Sequence, residues 1–274
     1  MNLPLPFPFD REYMQLALVA SVLVGGAAPL VGAFLVQKRL SLMGDGIGHV
    51  AFAGVAAGLL FSVAPIWTAL VAALLASLGI EWFRVRGRVG GDLALALFFY
   101  SGIAGGVVLI QRAGSLNTSA SYLFGQVLTV SRSDTVTMAV LAGVIVVTVL
   151  VAWRALFAVV FDEQAAVVAG LPVNALNFGL AALTAITVVA AMRVVGLLLV
   201  SALMVLPVGA AQRLVPSFRG TLVTASALGV ASCVIGLALA RVLSTAPGGT
   251  IALVAAATFV TASAAKMRTG RVRW

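Results

Sequence analysis

Apolar runs at 14–36, 47–63, 66–83, 92–111, 135–156, 176–192, 195–213, 221–241 and 249–266 alternate along the chain with charges or Pro/Gly turns. Each is near the roughly 20 residues that a helix needs to cross about 30 Å of hydrocarbon with its backbone hydrogen bonds satisfied internally. Nine spans fit this pattern best. It predicts an all-α integral membrane protein: a polytopic bundle of eight to nine transmembrane helices forming one domain over 1–274. The run at 176–213 has 38 residues, which would make one helix of about 57 Å, so the chain must turn or re-enter, with Arg193 to Gly196 the expected place.

Composition agrees. The 274 residues are 62% hydrophobic and only 9% charged, and the mean hydropathy is +1.16. A net charge of +9 raises the question of nucleic acid. The basic residues, however, fall in small groups between apolar segments, with no continuous stripe, and read as topology signals. With the N-terminus outside, Lys38, Arg39, Arg84, Arg86, Arg88, Arg154, Arg213, Arg219, Lys266, Arg268, Arg271 and Arg273 all lie in cytoplasmic stretches, 12 of 17 basic residues. The positive-inside rule then selects an outside N-terminus and a cytoplasmic C-terminus. The single cysteine, Cys233, excludes an intramolecular disulfide and a cysteine metal cluster. The first residues lack the basic start and small-residue cleavage site of a signal peptide, so the first span is expected to be retained. Glycines spaced by four (Gly54 and Gly58, Gly102 and Gly106), and Gly25 with Gly32 two turns on, suit closely packed helices in lipid.

Two stretches are not simple spans. Residues 112–134, polar with interleaved aromatics, read as an outer loop or a docking surface. In 161–177, Asp162 and Glu163 precede a short Ala/Val stretch closed by Gly170 and Pro172. Acids in the first turn, glycine after the last and proline beyond it define a small helix of two or three turns, too short to span.

The chain holds one histidine, His49, and Asp45 lies four residues before it. On a helix the two share a face. Gly44 and Gly46 loosen the backbone at this point, and discontinuous helix starts lining a cavity are a common way to build a transport site. Carboxylate oxygen with neutral imidazole nitrogen suits zinc, manganese or iron. The alternative reading is structural: Asp45 caps the helix and His49 bonds to a neighbour. Glu81 is expected to pair with Arg84, and Asp92 to cap a span rather than ligate. Arg193 reads as a turn residue near the outer interface, and Ser201 with Pro207 as a kink toward a pathway or in packing. No P-loop, nucleophile elbow or H-E-x-x-H is present, so any ATP must be used by a partner.

Three stretches together, "RLSLMGDGIGHVAFAGVAAG" (39–58), "LFGQVLTVSRSD" (123–134) with "FDEQAAVVAGLPV" (161–173), and "MRVVGLLLVSALMVLPVGAAQRL" (192–214), resemble the permease subunits of ATP-binding-cassette importers for zinc and manganese, the ZnuB-like family. The resemblance runs from about residue 14 to 265. It implies a homodimeric permease in a prokaryotic inner or plasma membrane, two copies of a partner ATPase, an extracytoplasmic metal-binding protein and no nucleic acid. It also implies a transported divalent metal, zinc first and manganese next, with no permanent cofactor. By the same resemblance Asp45 and His49 contact the metal. Phe161, Asp162, Glu163, Gln164, Gly170 and Leu171, within a coupling element at about 161–171, engage the ATPase. Arg193, Ser201 and Pro207 are pathway or gate candidates. This sequence departs from the family pattern: it reads Asp45-Gly46-Ile47-Gly48-His49, without the usual serine before the histidine, and Gln126 stands where asparagine is common. Metal contact by Asp92 or Gln126 stays open. Rival expectations are a permease for cobalamin or a siderophore chelate, a secondary transporter, and an intramembrane metalloenzyme. The enzyme would need a second histidine or several acids at one membrane depth. If His49 binds metal in its neutral form, transport should weaken as the pH falls through the ordinary histidine range near about 6.5.

Overall fold

The computed structural model describes residues 7–87, 91–114, 122–125, 131–192, 195–197 and 199–268. Its helices are α1 (Glu12–Gln37), α2 (Met43–Leu60), α3 (Pro65–Val85), α4 (Gly91–Ala113), α5 (Arg132–Phe161), α6 (Glu163–Val168), α7 (Val173–Ala191), α8 (Val200–Leu214), α9 (Phe218–Leu243) and α10 (Pro247–Arg268). All nine apolar runs are therefore helical. Eight of these helices are long and apolar enough to cross a membrane. The exception, α8, has 15 residues, about 22 Å of helix. The long run at 176–213 breaks between Ala191 and Val200, in the region where its length required a turn.

Polar residues set several helix starts. Ser131 and Asp134 form a reciprocal capping box at α5, and Ser217 Oγ accepts the Gly220 amide at α9. Prolines open α3 and α10, where the missing amide hydrogen costs no helical bond.

α1, α2 and α7 are the most enclosed spans, and α4 and α10 the most peripheral. α1 packs against α5, α7, α8 and α9; α2 packs against α3, α4, α7 and α8. Small residues allow this. A Cβ on Gly25 would lie 2.8 Å from the Gly229 carbonyl oxygen across α1 and α9, and one on Gly54 would lie 2.7 Å from the Thr68 oxygen of α3. Lipid provides little hydrophobic drive between helices, so such backbone approach supplies the van der Waals contact that holds them.

The turns after α1 and α3, the end of α5, α6, and the starts of α2, α4, α7 and α9 gather at one end of the bundle. Phe218 at the start of α9 lies against Phe34 of α1 (centroids 5.2 Å apart) and Phe157 of α5 (4.8 Å). At the opposite end, Arg132 pairs with Glu12, and Arg241 covers the Tyr13 ring at 5.6 Å. Lys38, Arg39, Arg84, Arg86, Arg213 and Arg219 belong to the first end, called below the basic end.

Candidate functional site

The site grows from the first two turns of α2. Leu42 is its N-cap and no side chain caps it; the Asp45 amide instead donates to the Leu42 carbonyl at 3.1 Å. The capping role considered for Asp45 is thus not taken up. Helical residues step about 100° around the axis, so the neighbours of the glycines locate the acid and the imidazole. Gly44 and Gly48 face the α7–α8 junction: a Cβ on Gly44 would lie 2.9 Å from Ser201 Oγ, and one on Gly48 3.2 Å from the Leu197 carbonyl oxygen. Gly46 faces α4, where its Cβ would strike Leu95. Asp45 and His49 fall between these two directions, one above the other, on the side of α2 between α4 and the α7–α8 junction. One turn further on this face, Phe52 is buried and closes the strip.

α4 comes close enough to hold the imidazole. A Cβ on Gly102 would sit 2.7 Å from the His49 carbonyl carbon and 2.6 Å from the Val50 nitrogen, so only glycine admits α4 at that distance. The Phe99 ring then meets the His49 ring edge-on, centroids 4.4 Å apart. Both Asp45 and His49 are half-buried. Among the described residues neither has a hydrogen-bond or ion-pair partner, and no group of three or more His, Cys, Asp or Glu side chains converges. One copy of the chain therefore offers two metal-type donors.

The irregular stretch before α8 reaches this depth because other irregular backbone supports it. The Leu197 amide donates to the Tyr122 carbonyl at 2.9 Å. Gly196 has φ +87°, and a Cβ there would lie 2.4 Å from the Leu123 oxygen. Non-helical backbone survives inside a membrane protein when it is packed on protein in this way. Residues 122–125, expected to lie in an outer loop or docking surface, instead touch the core through buried Tyr122.

The other candidates separate. Ser201, at the start of α8, is buried with an unpartnered hydroxyl beside Gly44, which brings it to the edge of the site. Pro207 is buried inside α8, two turns away from the break, so the interruption precedes it rather than arising from it. Arg193 and Gln126 lie outside the described residues. Asp92, on the first turn of α4, lines a cleft with Arg39, Ser41, Glu81 and Arg84; it is seven residues, about 10 Å, below the Phe99 that meets His49.

The small helix forms as its residues required, shorter than two turns. Asp162 caps it by accepting the Ala165 amide at 2.9 Å. Gly170 closes it with φ +76°, its amide on Val167 and that of Leu171 on Ala166, a Schellman motif. Phe161 ends α5, so α6 proper is Glu163–Val168 within the 161–171 element. Ala166 and Leu171 face inward with Val159 and Val173. Phe161, Gln164, Val167 and Val168 face outward, Val168 with 90% of its surface exposed.

Inward from α6 lies a charged cluster that sequence reasoning only half found. Arg84 grips Glu81 through Nε at 2.9 Å and Nη2 at 2.6 Å, the expected pair. Beside it, Lys38 donates to Asn177 Oδ1, Asn177 Nδ2 donates to Glu163 Oε1 at 2.8 Å, and the Lys38 nitrogen stands 3.9 Å from the second Glu163 oxygen. Burial, with Arg84 nearby, pushes the Lys38 ammonium below the ordinary lysine range, against the pull of Glu163 and Glu81. In the sequence Lys38 reads only as a topology charge. Asn177, a polar residue at the start of an apolar run, was the available signal.

The chain as a whole is similar to known proteins. The chain is 35% identical over 250 residues to an uncharacterized membrane protein of Synechocystis, covering 91% of this chain and 89% of that one. It is 31% identical over 248 residues to a manganese transport system membrane protein of Listeria monocytogenes, covering 90% and 89%. Among solved structures, PsaBC from Streptococcus pneumoniae in complex with Fab superposes with a TM-score of 0.84 at 29% identity, over 92% of this chain and 91% of that one. With the model of the ABC 3 transport family matching residues 10–266, nearly its whole length, this chain is a member of that family of membrane transport subunits.

Proposed function

We propose that this chain is the permease subunit of an ATP-driven importer, that it carries a divalent transition-metal ion as cargo, and that Asp45 and His49 are the groups the ion meets. The observation that carries the reading is the unpartnered state, among the described residues, of those two side chains beside α4. A half-buried carboxylate without a compensating partner is costly, and a passing dication compensates it. Two donors make a weak site in each copy, which suits an ion that must leave as readily as it enters. Two copies presenting these residues to each other would raise the donor count to four, the number a tetrahedral zinc site uses and part of the larger oxygen-rich set that manganese accepts. Manganese, named for the Listeria relative, is the first cargo to test and zinc the second.

The exposed row Phe161, Gln164, Val167 and Val168 on α6 is the surface offered to a partner ATPase. Closure of two such ATPases would push on 161–171 and switch access to Asp45 and His49 from one side to the other. With an outside N-terminus the basic end is cytoplasmic, as the positive-inside rule requires, and a separate extracytoplasmic protein would present the metal at the other end.

The test is reconstitution with the neighbouring ATPase in vesicles, with uptake of manganese, zinc and iron followed in turn. The expected outcome is ATP-dependent uptake that Asp45→Ala with His49→Ala abolishes. Parental uptake by that double variant would remove the site assignment. Cysteine accessibility at the two termini tests the orientation.

A further inference from the structure

α6 packs as a helix chiefly on its chain neighbours, α5 and α7. Among the described residues its one polar link to a more distant element is a chain of side chains. Glu163 accepts from Asn177 Nδ2 at 2.8 Å, and the same amide accepts from Lys38 through Oδ1. The amide is 2% exposed and the lysine side chain 6%. A primary amide is bipolar, so its oxygen turns to the cation and its nitrogen to the anion. Held between Lys38 and Glu163 it has one preferred orientation, and in a poorly solvated setting both bonds are strengthened by the charges they meet.

The far end of this chain is attached to the metal helix. Lys38 is the C-cap of α1. Arg39 follows with φ +60°, its amide on Val36 and that of Leu40 on Leu35 at 2.8 Å, a Schellman closure that fixes the direction of the exit. The turn leads directly into α2: the Met43 amide bonds the Leu40 carbonyl at 2.9 Å and the Asp45 amide the Leu42 carbonyl at 3.1 Å. From Lys38 to Asp45 the backbone runs through consecutive hydrogen-bonded turns.

We infer that Asn177 and Lys38 are positioning residues that carry a displacement of α6 to the α1–α2 turn, and through it to Asp45 and His49. This rests on the proposed function, in which α6 receives the push of the ATPase. The covalent path from α6 leads into α7; the amide relay adds α1 and α2 to the moving unit, so that the acid and imidazole shift together with the coupling helix.

The test measures metal imported per ATP hydrolysed in vesicles holding the permease with its ATPase. Asn177→Asp keeps the size of the side chain and its bond to Lys38 but sets a carboxylate against Glu163, cutting the relay at one joint. The expected result is near-parental ATP hydrolysis and membrane content with import per ATP lowered about tenfold, within the usual range of coupling energies. Charge reversal supplies a second, independent reading. Lys38→Glu alone lowers the same ratio, and Lys38→Glu with Glu163→Lys restores it, because the Asn177 amide need only flip. A parental ratio in Asn177→Asp, a fall in hydrolysis that matches the fall in import, or a double reversal no better than the single change overturns the relay. Vesicles of the parental protein that import no metal would overturn instead the reading on which it rests.

Discussion

Asp45 and His49 stand within eleven residues of Lys38, yet the chain treats the two places differently. At the basic end the buried charges of the described residues are answered: Glu81 holds Arg84 by two bonds, and Lys38 is joined to Glu163 directly and through Asn177. On α2 the carboxylate and the imidazole share one helix face and receive no bond from any described residue. Both regions contain acids and bases at helical spacing. The difference is whether another helix brings a partner, and it separates charge that holds the bundle together from charge left available to a ligand.

That contrast can be broken from either side. The largest effect is expected on α2. Asp45→Ala or His49→Ala should reduce metal uptake to the level of vesicles without the protein while the melting temperature in detergent stays near parental, because no internal bond is lost. A melting temperature that falls with uptake would show a structural pair instead.

Next comes the basic end, where the signature should invert. Arg84→Ala leaves Glu81, 2% exposed, without its counter-charge, and should lower unfolding stability by about 3 kcal/mol in a denaturant titration. Replacing both residues by methionine should recover most of that loss, since the apolar pair needs no compensation.

Gly102→Ala acts on the contact that holds His49 in place. Its Cβ would meet the His49–Val50 backbone at 2.6–2.7 Å, so α4 must move outward, at a cost of about 1–3 kcal/mol. Uptake should fall with a changed half-saturation concentration, as the Phe99 ring leaves the imidazole. The smallest effect is expected at Ser201, whose buried hydroxyl has no partner to lose; Ser201→Ala should shift stability by less than about 1 kcal/mol. An order-of-magnitude loss of uptake in that variant would extend the site to α8.

The segment pattern made nearly all of the helices legible, because a span in lipid must be long, apolar and internally hydrogen-bonded. α6 was equally legible, since Asp162, Gly170 and Pro172 each have a local reason to stand at a helix end. The glycine pairs also pointed correctly to close packing. Less could be read where the backbone is irregular. Tyr122 looked like part of an outer loop, and its contact with Leu197 depends on a partner 75 residues away. Asn177 is a polar residue at the start of an apolar run, but one amide there has no local meaning; its role arises only when Lys38 and Glu163 reach it from two other elements.

Composition and spacing by themselves determined that this chain lives in a membrane as a helical bundle, that nine apolar runs each carry a helix, that a short capped helix lies within about 161–171, and that Asp45 and His49 share a face. All of these follow from interactions within about four residues or from the fixed thickness of lipid. Whether the shared face is answered by the protein was decided only by the tertiary structure. Compensation of charge is a property of neighbours in space: among the described residues α4 on one side and the α7–α8 junction on the other bring no polar partner to the pair, whereas at the basic end Arg84 answers Glu81, and Asn177 and Glu163 answer Lys38.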